Sequence, residues 1–268
     1  MSLETDFPYN MYSLFVLYLF AFLLGTVIGS FLNVCIYRIP AKKSVVFPPS
    51  SCPVCGAKIR FYDNIPIISY IILSGKCRSC GHHISYQYPI VELITGILSL
   101  FLFVKFGMDY QYLLYLLFVS SLIAISFIDI NLKIIPDTIS LPGIVSGFFA
   151  SFVLKDITCY DSLIGILVGG GILYSVAVIY ERLRGKMGMG GGDIKLMSMI
   201  CAWMGWRSIF PVIMISSLSG AIVGSIFILL SGKGSEFKIP FGPFLSLGAI
   251  IYLFVGQDLL NWYFNFFS

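Results

Sequence analysis

Two cysteine pairs and a few acidic residues are the groups in this 268-residue chain whose types and spacing can do chemistry. Cys52-Pro-Val-Cys55-Gly and Cys77-Arg-Ser-Cys80-Gly are C-x-x-C knuckles with 21 residues between them. The glycine after each pair permits the tight turn that aims both thiolates at one ion. Four thiolates in a tetrahedron suit a closed structural zinc site with no open position for catalysis. Two disulfides are the competing use of the same residues, and they do not persist in a reducing compartment. His82 and His83 follow the second knuckle, but four sulfurs already complete the shell. Cys35, Cys159 and Cys201 lie in or beside apolar runs and read as packing residues.

Five carboxylates stand in or beside apolar runs: Glu92, Asp129, Asp137, Glu181 and Asp193. Ionisable groups in a bilayer are costly and mark function. Asp129 lies in Phe127-Ile128-Asp129-Ile130, and Asp193 closes the run Gly188-Met189-Gly190-Gly191-Gly192-Asp193. Two carboxylates on different helices at one membrane face can be folded together. A close pair shares one proton, so that the ionised member activates water while the protonated member polarises a carbonyl, which is aspartyl-protease chemistry. A proton relay or a structural role suits the same pair. Gly190, Gly191 and Gly192 offer side-chain-free backbone against which an extended peptide can lie. Asp137, after Pro136 and before Thr138-Ile139-Ser140, reads as a helix N-cap. Glu181 opens a basic loop and reads as solvated. Spacing assigns no role to Glu92.

The elements that hold these groups are helices in a membrane. The chain is 58% hydrophobic and 11% charged, with a mean hydropathy of +0.93. A soluble domain carries about 25% charged residues. Eight spans of transmembrane character are expected, over roughly 12–37, 89–104, 110–130, 138–154, 162–180, 190–206, 208–231 and 239–258. With the N-terminus outside, fourteen of the 17 Lys and Arg residues fall in cytoplasmic loops, leaving Lys105, Lys155 and Arg207 outside. Omitting the sixth span would move Lys233 and Lys238 to the wrong side, so eight spans with both termini outside is the expected topology. Met1 to Met11 carries Glu4 and Asp6 but no basic residue, the reverse of a signal peptide's start, so the first helix is expected to be a permanent anchor. The net charge of +4 belongs mostly to loops and calls for no nucleic-acid partner. Small pairs at Gly25/Gly29, Gly143/Gly147, Gly165/Gly169 and Gly220/Gly224 are expected to pack helices closely. The resulting fold class is an all-α polytopic membrane protein of about eight helices with a small cytoplasmic zinc-binding insertion. Its expected divisions are 1–40 (first helix), 41–88 (four-cysteine domain) and 89–268 (the bundle with both aspartates). A proton-coupled transporter is the rival reading, but no internal repeat is apparent and the two best carboxylates share a face.

Six motifs in order carry a resemblance that covers nearly the whole chain. They are Gly29-Ser30-Phe31-Leu32-Asn33-Val34 with Tyr37-Arg38-Ile39-Pro40; the knuckles with Asp63-Asn64-Ile65-Pro66 between them; Ile84-Ser85-Tyr86-Gln87-Tyr88-Pro89 with Val91-Glu92-Leu93; Ile128-Asp129 with Ile135-Pro136-Asp137; Gly190-Gly191-Gly192-Asp193-Ile194-Lys195-Leu196; and Pro240-Phe241-Gly242-Pro243-Phe244. The chain resembles the prepilin peptidases, GxGD intramembrane aspartyl proteases with N-methyltransferase activity. The resemblance implies that Asp129 and Asp193 are the catalytic pair. It implies cleavage of a prepilin or pseudopilin leader at the cytoplasmic face of a bacterial inner membrane, after a glycine. It also implies methylation of the new amine from S-adenosylmethionine, favoured by the cysteine domain; a peptidase without that second activity is the alternative. No glycine-rich strand–helix fingerprint of a soluble methyltransferase is present, so the donor is expected to bind otherwise. Lys195, Glu92 and Asn33 join the three glycines as expected neighbours of substrate or cofactor.

Overall fold

Residues 11–185, 189–231 and 239–267 are described by the computed structural model. Glu4, Asp6, Lys186, Gly188, Lys233 and Lys238 lie outside the described residues. Among those described, the chain is helical, with no strand beyond two isolated β-bridges. The helices are α1 (Met11–Arg38), α2 (Ile68–Ile72), α3 (Gln87–Phe106), α4 (Tyr110–Leu132), α5 (Asp137–Ala150), α6 (Cys159–Arg184), α7 (Gly191–Met204), α8 (Ile209–Ser231) and α9 (Gly242–Phe267). Each of the eight expected stretches recurs as a helix, and α2 is an extra one inside the four-cysteine segment.

Among the described residues, five helices are long and apolar enough to cross a membrane: α1, α3, α4, α6 and α8, the last counted from Trp206. The α5 and α7 helices have 14 residues each. At 1.5 Å per residue that is about 21 Å, short of a hydrocarbon core of about 30 Å. The protein is therefore a multi-pass membrane protein in which, among the described residues, five helices rather than eight meet the length and hydropathy requirements together, while α9 at 26 residues is long enough. The helix ends follow local chemistry. Thr158 and Asp161 form a capping box at the start of α6, and Gly185 ends it with φ +63°. Gly205 stops α7 at φ +73°, its amide bonded to Cys201 O at 2.8 Å.

The chain divides into two compact units, Met1–Cys35 with Ser44–Leu116, and Ile36–Lys43 with Leu117–Ser268. In the first, α1 meets α3 through its small residues. A Cβ on Gly25 would come 2.5 Å from Ser99 Cβ, and one on Gly29 would come 2.7 Å from Glu92 Cα. Phe15, Leu19, Leu23, Val27 and Phe31, spaced four apart on α1, are exposed and form an apolar stripe suited to lipid. In the second unit, α7 is the core. Leu196 to Met204 are all buried, as expected of a helix apolar on every side. Gly143 and Gly147 of α5 press on Met199 and Trp203, and Gly165 and Gly169 of α6 press on Cys201. Trp203 donates to Gly143 O at 2.9 Å and stacks on Phe118 of α4 at 5.2 Å. Three of the four expected glycine pairs thus include a contact too close for any side chain. Gly220 and Gly224 pack less tightly: a Cβ there would meet Phe244 at 3.5 Å and Ile239 Cδ1 at 3.2 Å.

Candidate active site and metal centre

Asp129 sits in the last turn of α4 and is buried. Its Oδ2 accepts the Gly242 amide at 2.9 Å, the first residue of α9. Amides at a helix start have no partner within their own helix and carry partial positive charge, so this one suits an anionic oxygen. A side chain on Gly242 would put Cβ 2.7 Å from that oxygen, so only glycine permits the approach. Asp193 occupies the third position of α7, behind Gly190 as the residue that precedes the helix. Its carboxylate accepts the Gly190 amide and lies within Coulombic range of Asp129. Each aspartate therefore lies within reach of the other's charge and rests on a glycine amide at the beginning of a helix.

Ile135 fills the space beside both. A Cβ on Gly192 would come 2.8 Å from Ile135 Cβ, and one on Gly242 would come 3.3 Å from Ile135 Cδ1. Gly191 has nothing within 4 Å of such an atom, and Gly190 only Asp193 Oδ2 and Gly192 N at 3.8 and 3.9 Å. Both are exposed, which leaves backbone free on the open side of Asp193.

Asp137 corrects the expected cap. Pro136, with φ −72° and ψ 127°, takes the capping position, no side chain caps the helix, and Asp137 is the first helical residue. Pro136, its φ fixed by the ring, stands in the extended entry itself, so the helix starts one residue earlier than expected. The Asp137 carboxylate instead takes both bonds from Lys195 Nζ, at 2.7 and 2.8 Å. This pair ties the start of α5 to the α7 segment that carries Asp193. Glu181 is exposed near the end of α6, as expected.

The two knuckles are built alike. The Cys52 amide bonds Ala57 O at 2.9 Å and the Cys77 amide bonds His82 O at 2.8 Å, while Gly56 and Gly81 turn the chain at φ +69° and +70°. β-Bridges Ser51–Lys58 and Lys76–His83 close the two at the same register. All four Sγ atoms lie within 4.8 Å of one another, and Cys52 and Cys80 are 3.8 Å apart. Zinc–sulfur bonds of about 2.3 Å in a tetrahedron give an edge of about 3.8 Å, so the donor set fits such an ion. The amides of Cys55 and Val54 point at the Cys52 sulfur and pull its pKa down to about 6. The His82 amide points at Cys80, but desolvation and hydrogen bonds with Cys55, Cys77 and Cys52 outweigh it and push that thiol up to about 12. Between the knuckles, Arg78 grips Asp63 through two nitrogens, with Nη2 2.6 Å from Oδ1 and Nε 3.0 Å from Oδ2. That grip holds the Asp63 carboxyl below its ordinary range.

Glu92 is buried on α3. It accepts the Ile67 amide on Oε2 at 2.7 Å and a bond from the Ser30 hydroxyl. Asn33 is buried on α1 and donates Nδ2 to Tyr88 O at 3.1 Å. Gly242, Ile135 and Ile67 were not among the expected site residues. The signal for Gly242 was present in Pro240-Phe241-Gly242-Pro243, a turn with proline at an early helical position. Ile135 and Ile67 look like ordinary apolar residues, and only their neighbours distinguish them.

Comparison with known proteins bears on both halves. Residues 23–106 match the bacterial peptidase A24 N-terminal domain, and residues 116–225 match the type IV leader peptidase family. A Pseudomonas aeruginosa protein called prepilin leader peptidase/N-methyltransferase is 38% identical over 271 residues, covering 91% of this chain and 92% of that one. A Xanthomonas campestris pv. campestris protein with the same name is 37% identical, covering 91% and 93%. A third so named, from Legionella pneumophila, is 32% identical and covers 99% and 98%. No solved structure matches. The transporter reading has no support among these relatives.

Proposed function

From the premise that the chain belongs to the type IV leader peptidase family, we propose that it is a bifunctional prepilin leader peptidase and N-methyltransferase. It removes the leader of a type IV prepilin or pseudopilin at the cytoplasmic face of a bacterial inner membrane, then methylates the new amino terminus from S-adenosylmethionine. Asp129 and Asp193 are the catalytic pair. One shared proton lets the ionised carboxylate activate water while the protonated one polarises the scissile carbonyl. The observation that carries the reading is the pairing itself: two carboxylates in Coulombic range, each seated on a glycine amide. The exposed Gly190-Gly191 backbone beside Asp193 leaves room for an extended peptide.

The four cysteines hold a structural zinc, as the sulfur spacing supports. The segment 41–88 is the zinc domain between the first helix, 1–40, and the bundle, 89–268. Eight crossings place both termini outside, with α5 and α7 as short members, of which α7 is enclosed by protein. Lys195 positions the α7 segment through Asp137. The test is incubation of the purified protein with a prepilin, with and without S-adenosylmethionine, followed by mass spectrometry. The expected products are a mature pilin cut after a glycine and, with donor, a species one methyl heavier. An intact prepilin would overturn the peptidase assignment.

A further inference from the structure

A polar seam runs between α1 and α3 in a segment where apolar packing is the rule. Gly29 lets α1 approach Glu92 closely, Ser30 donates to the Glu92 carboxylate, and Asn33, one turn on, donates to Tyr88 O, one turn before Glu92. Both Asn33 and Glu92 are more than nine-tenths buried, at 3% and 7% exposure. The orientation of the Asn33 amide is forced, because exchanging its ends would set Oδ1 against the Tyr88 carbonyl. Oδ1 is then buried with no hydrogen-bond partner. An unmet acceptor of this kind costs about 1–3 kcal/mol, and a buried carboxylate with two neutral donors is also under-supplied. The seam has acceptors to spare and lacks donors.

The covering segment is strained at this point. Ile67 has φ 63° and ψ −51°, and the Ile68 amide bonds Pro66 O at 2.6 Å, which together make a γ-turn. That conformation is unfavourable for a β-branched residue, and such strain gathers at ligand clamps. The turn aims the Ile67 amide at Glu92 Oε2. A group with several N–H donors and a positive charge is what this seam lacks, and a primary ammonium has that chemistry.

We infer that Glu92 and Asn33 form the binding site for the newly exposed α-amine of the cleaved substrate, with Glu92 as the base of methyl transfer. This rests on the methyltransferase reading above. The substrate's ammonium gives one proton to the Glu92 carboxylate, and Asn33 Oδ1 accepts a second N–H from the same chain end. The freed nitrogen lone pair attacks the methyl carbon of the sulfonium donor. A C–N bond forms while the C–S bond breaks with its electron pair remaining on sulfur, leaving a neutral thioether and a methylated ammonium. Glu92 then releases its proton to water.

The test uses full-length protein in detergent, a pre-cleaved pilin with a free amino terminus, and isotopically labelled S-adenosylmethionine. Zinc content and donor binding are measured beside methyl incorporation. Glu92→Gln keeps an acceptor for Ile67 and Ser30 but removes the base, so the turnover number falls by at least roughly 100-fold. Asn33→Leu raises KM for the pilin about tenfold, the loss of one hydrogen bond to a charged group. Both variants keep zinc and donor affinity. Glu92→Gln methylating at the wild-type rate would overturn the inference, because the seam would then serve packing alone. So would loss of zinc from that isosteric variant, or loss of donor affinity with an unchanged pilin KM. If the wild type itself cannot methylate the pre-cleaved pilin, the methyltransferase reading fails and the inference with it.

Discussion

Gly242 and Gly191 are both glycines beside a proposed catalytic carboxylate, yet they predict different kinetic defects. A Cβ on Gly242 would stand 2.7 Å from Asp129 Oδ2, and overpacking of this kind costs about 1–3 kcal/mol unless the carboxylate moves away. Gly242→Ala is therefore expected to lower kcat with little change in KM. Gly191 meets nothing of its own protein within 4 Å, so Gly191→Ala is expected to raise KM for the prepilin and leave thermal stability unchanged. Steady-state cleavage of one prepilin by both variants separates the two; the reverse pattern would mean that Gly191 shapes the carboxylates and Gly242 the substrate path. The carboxylates themselves give a sharper contrast. Asp129→Asn and Asp193→Asn keep size but end proton sharing, and each is expected to reduce leader removal by about 10²–10⁴-fold. Asp137→Asn loses only a half-exposed ion pair with Lys195, of a kind that contributes roughly 0–1 kcal/mol, and keeps activity within about fivefold. Substantial cleavage by either of the first two variants would end the dyad assignment.

At the scale of elements, the sequence was most legible where a single periodicity or spacing decides the outcome. Eight long apolar stretches recur as helices because nothing in them competes with backbone pairing in an apolar solvent. The four cysteines were legible because C-x-x-C-G encodes its own turn, and the two knuckles repeat bond for bond. Length was misjudged for α5, expected to reach residue 154 but ending at Ala150. The apolar run continues past its end through Phe152, Val153 and the buried Leu154, so hydropathy alone does not mark where a helix stops. Asp137 was misread because capping preference was applied without asking what Pro136 would do. The seats of the aspartates were illegible for another reason: Gly242 is 113 residues from Asp129, and no local pattern records that pairing. The central position of α7 gives the prediction for this scale. Gly147→Val is expected to destabilise the second unit by about 1–3 kcal/mol, since its Cβ would start 2.5 Å from Trp203 Cδ1. Gly171→Val on α6 meets open space and serves as the control. Thermal unfolding in detergent compares them, and equal midpoints would show that α5 and α7 are not tightly packed.

Across the whole molecule, the two proposed chemistries fall in different compact units. Asp129 and Asp193 belong to the unit that includes Leu117–Ser268, whereas all four cysteines, Glu92 and Asn33 belong to the unit that includes Ser44–Leu116. The segment bearing the cysteines has few buried apolar residues: of 44–88, only Cys52, Ser69 and Gly75 are buried. A segment so small and so poor in core depends on its metal to stay folded. Purified protein is therefore expected to carry one zinc per chain, lost when Cys52 and Cys55 are both replaced by serine. Its loss should free the γ-turn at Ile67, and with it the amide that Glu92 accepts. The seats of the aspartates are amides at the starts of α7 and α9, helices whose bonds do not involve the metal. Chelated or knuckle-mutant protein is accordingly expected to lose methylation more severely than cleavage while it remains membrane-inserted. Both products are measured from one prepilin preparation at matched protein levels, with methylation assayed separately on pre-cleaved pilin. If cleavage collapses while pre-cleaved pilin is still methylated, the cysteine domain must dock the prepilin for proteolysis instead, and the assignment of methyl transfer to its unit is wrong.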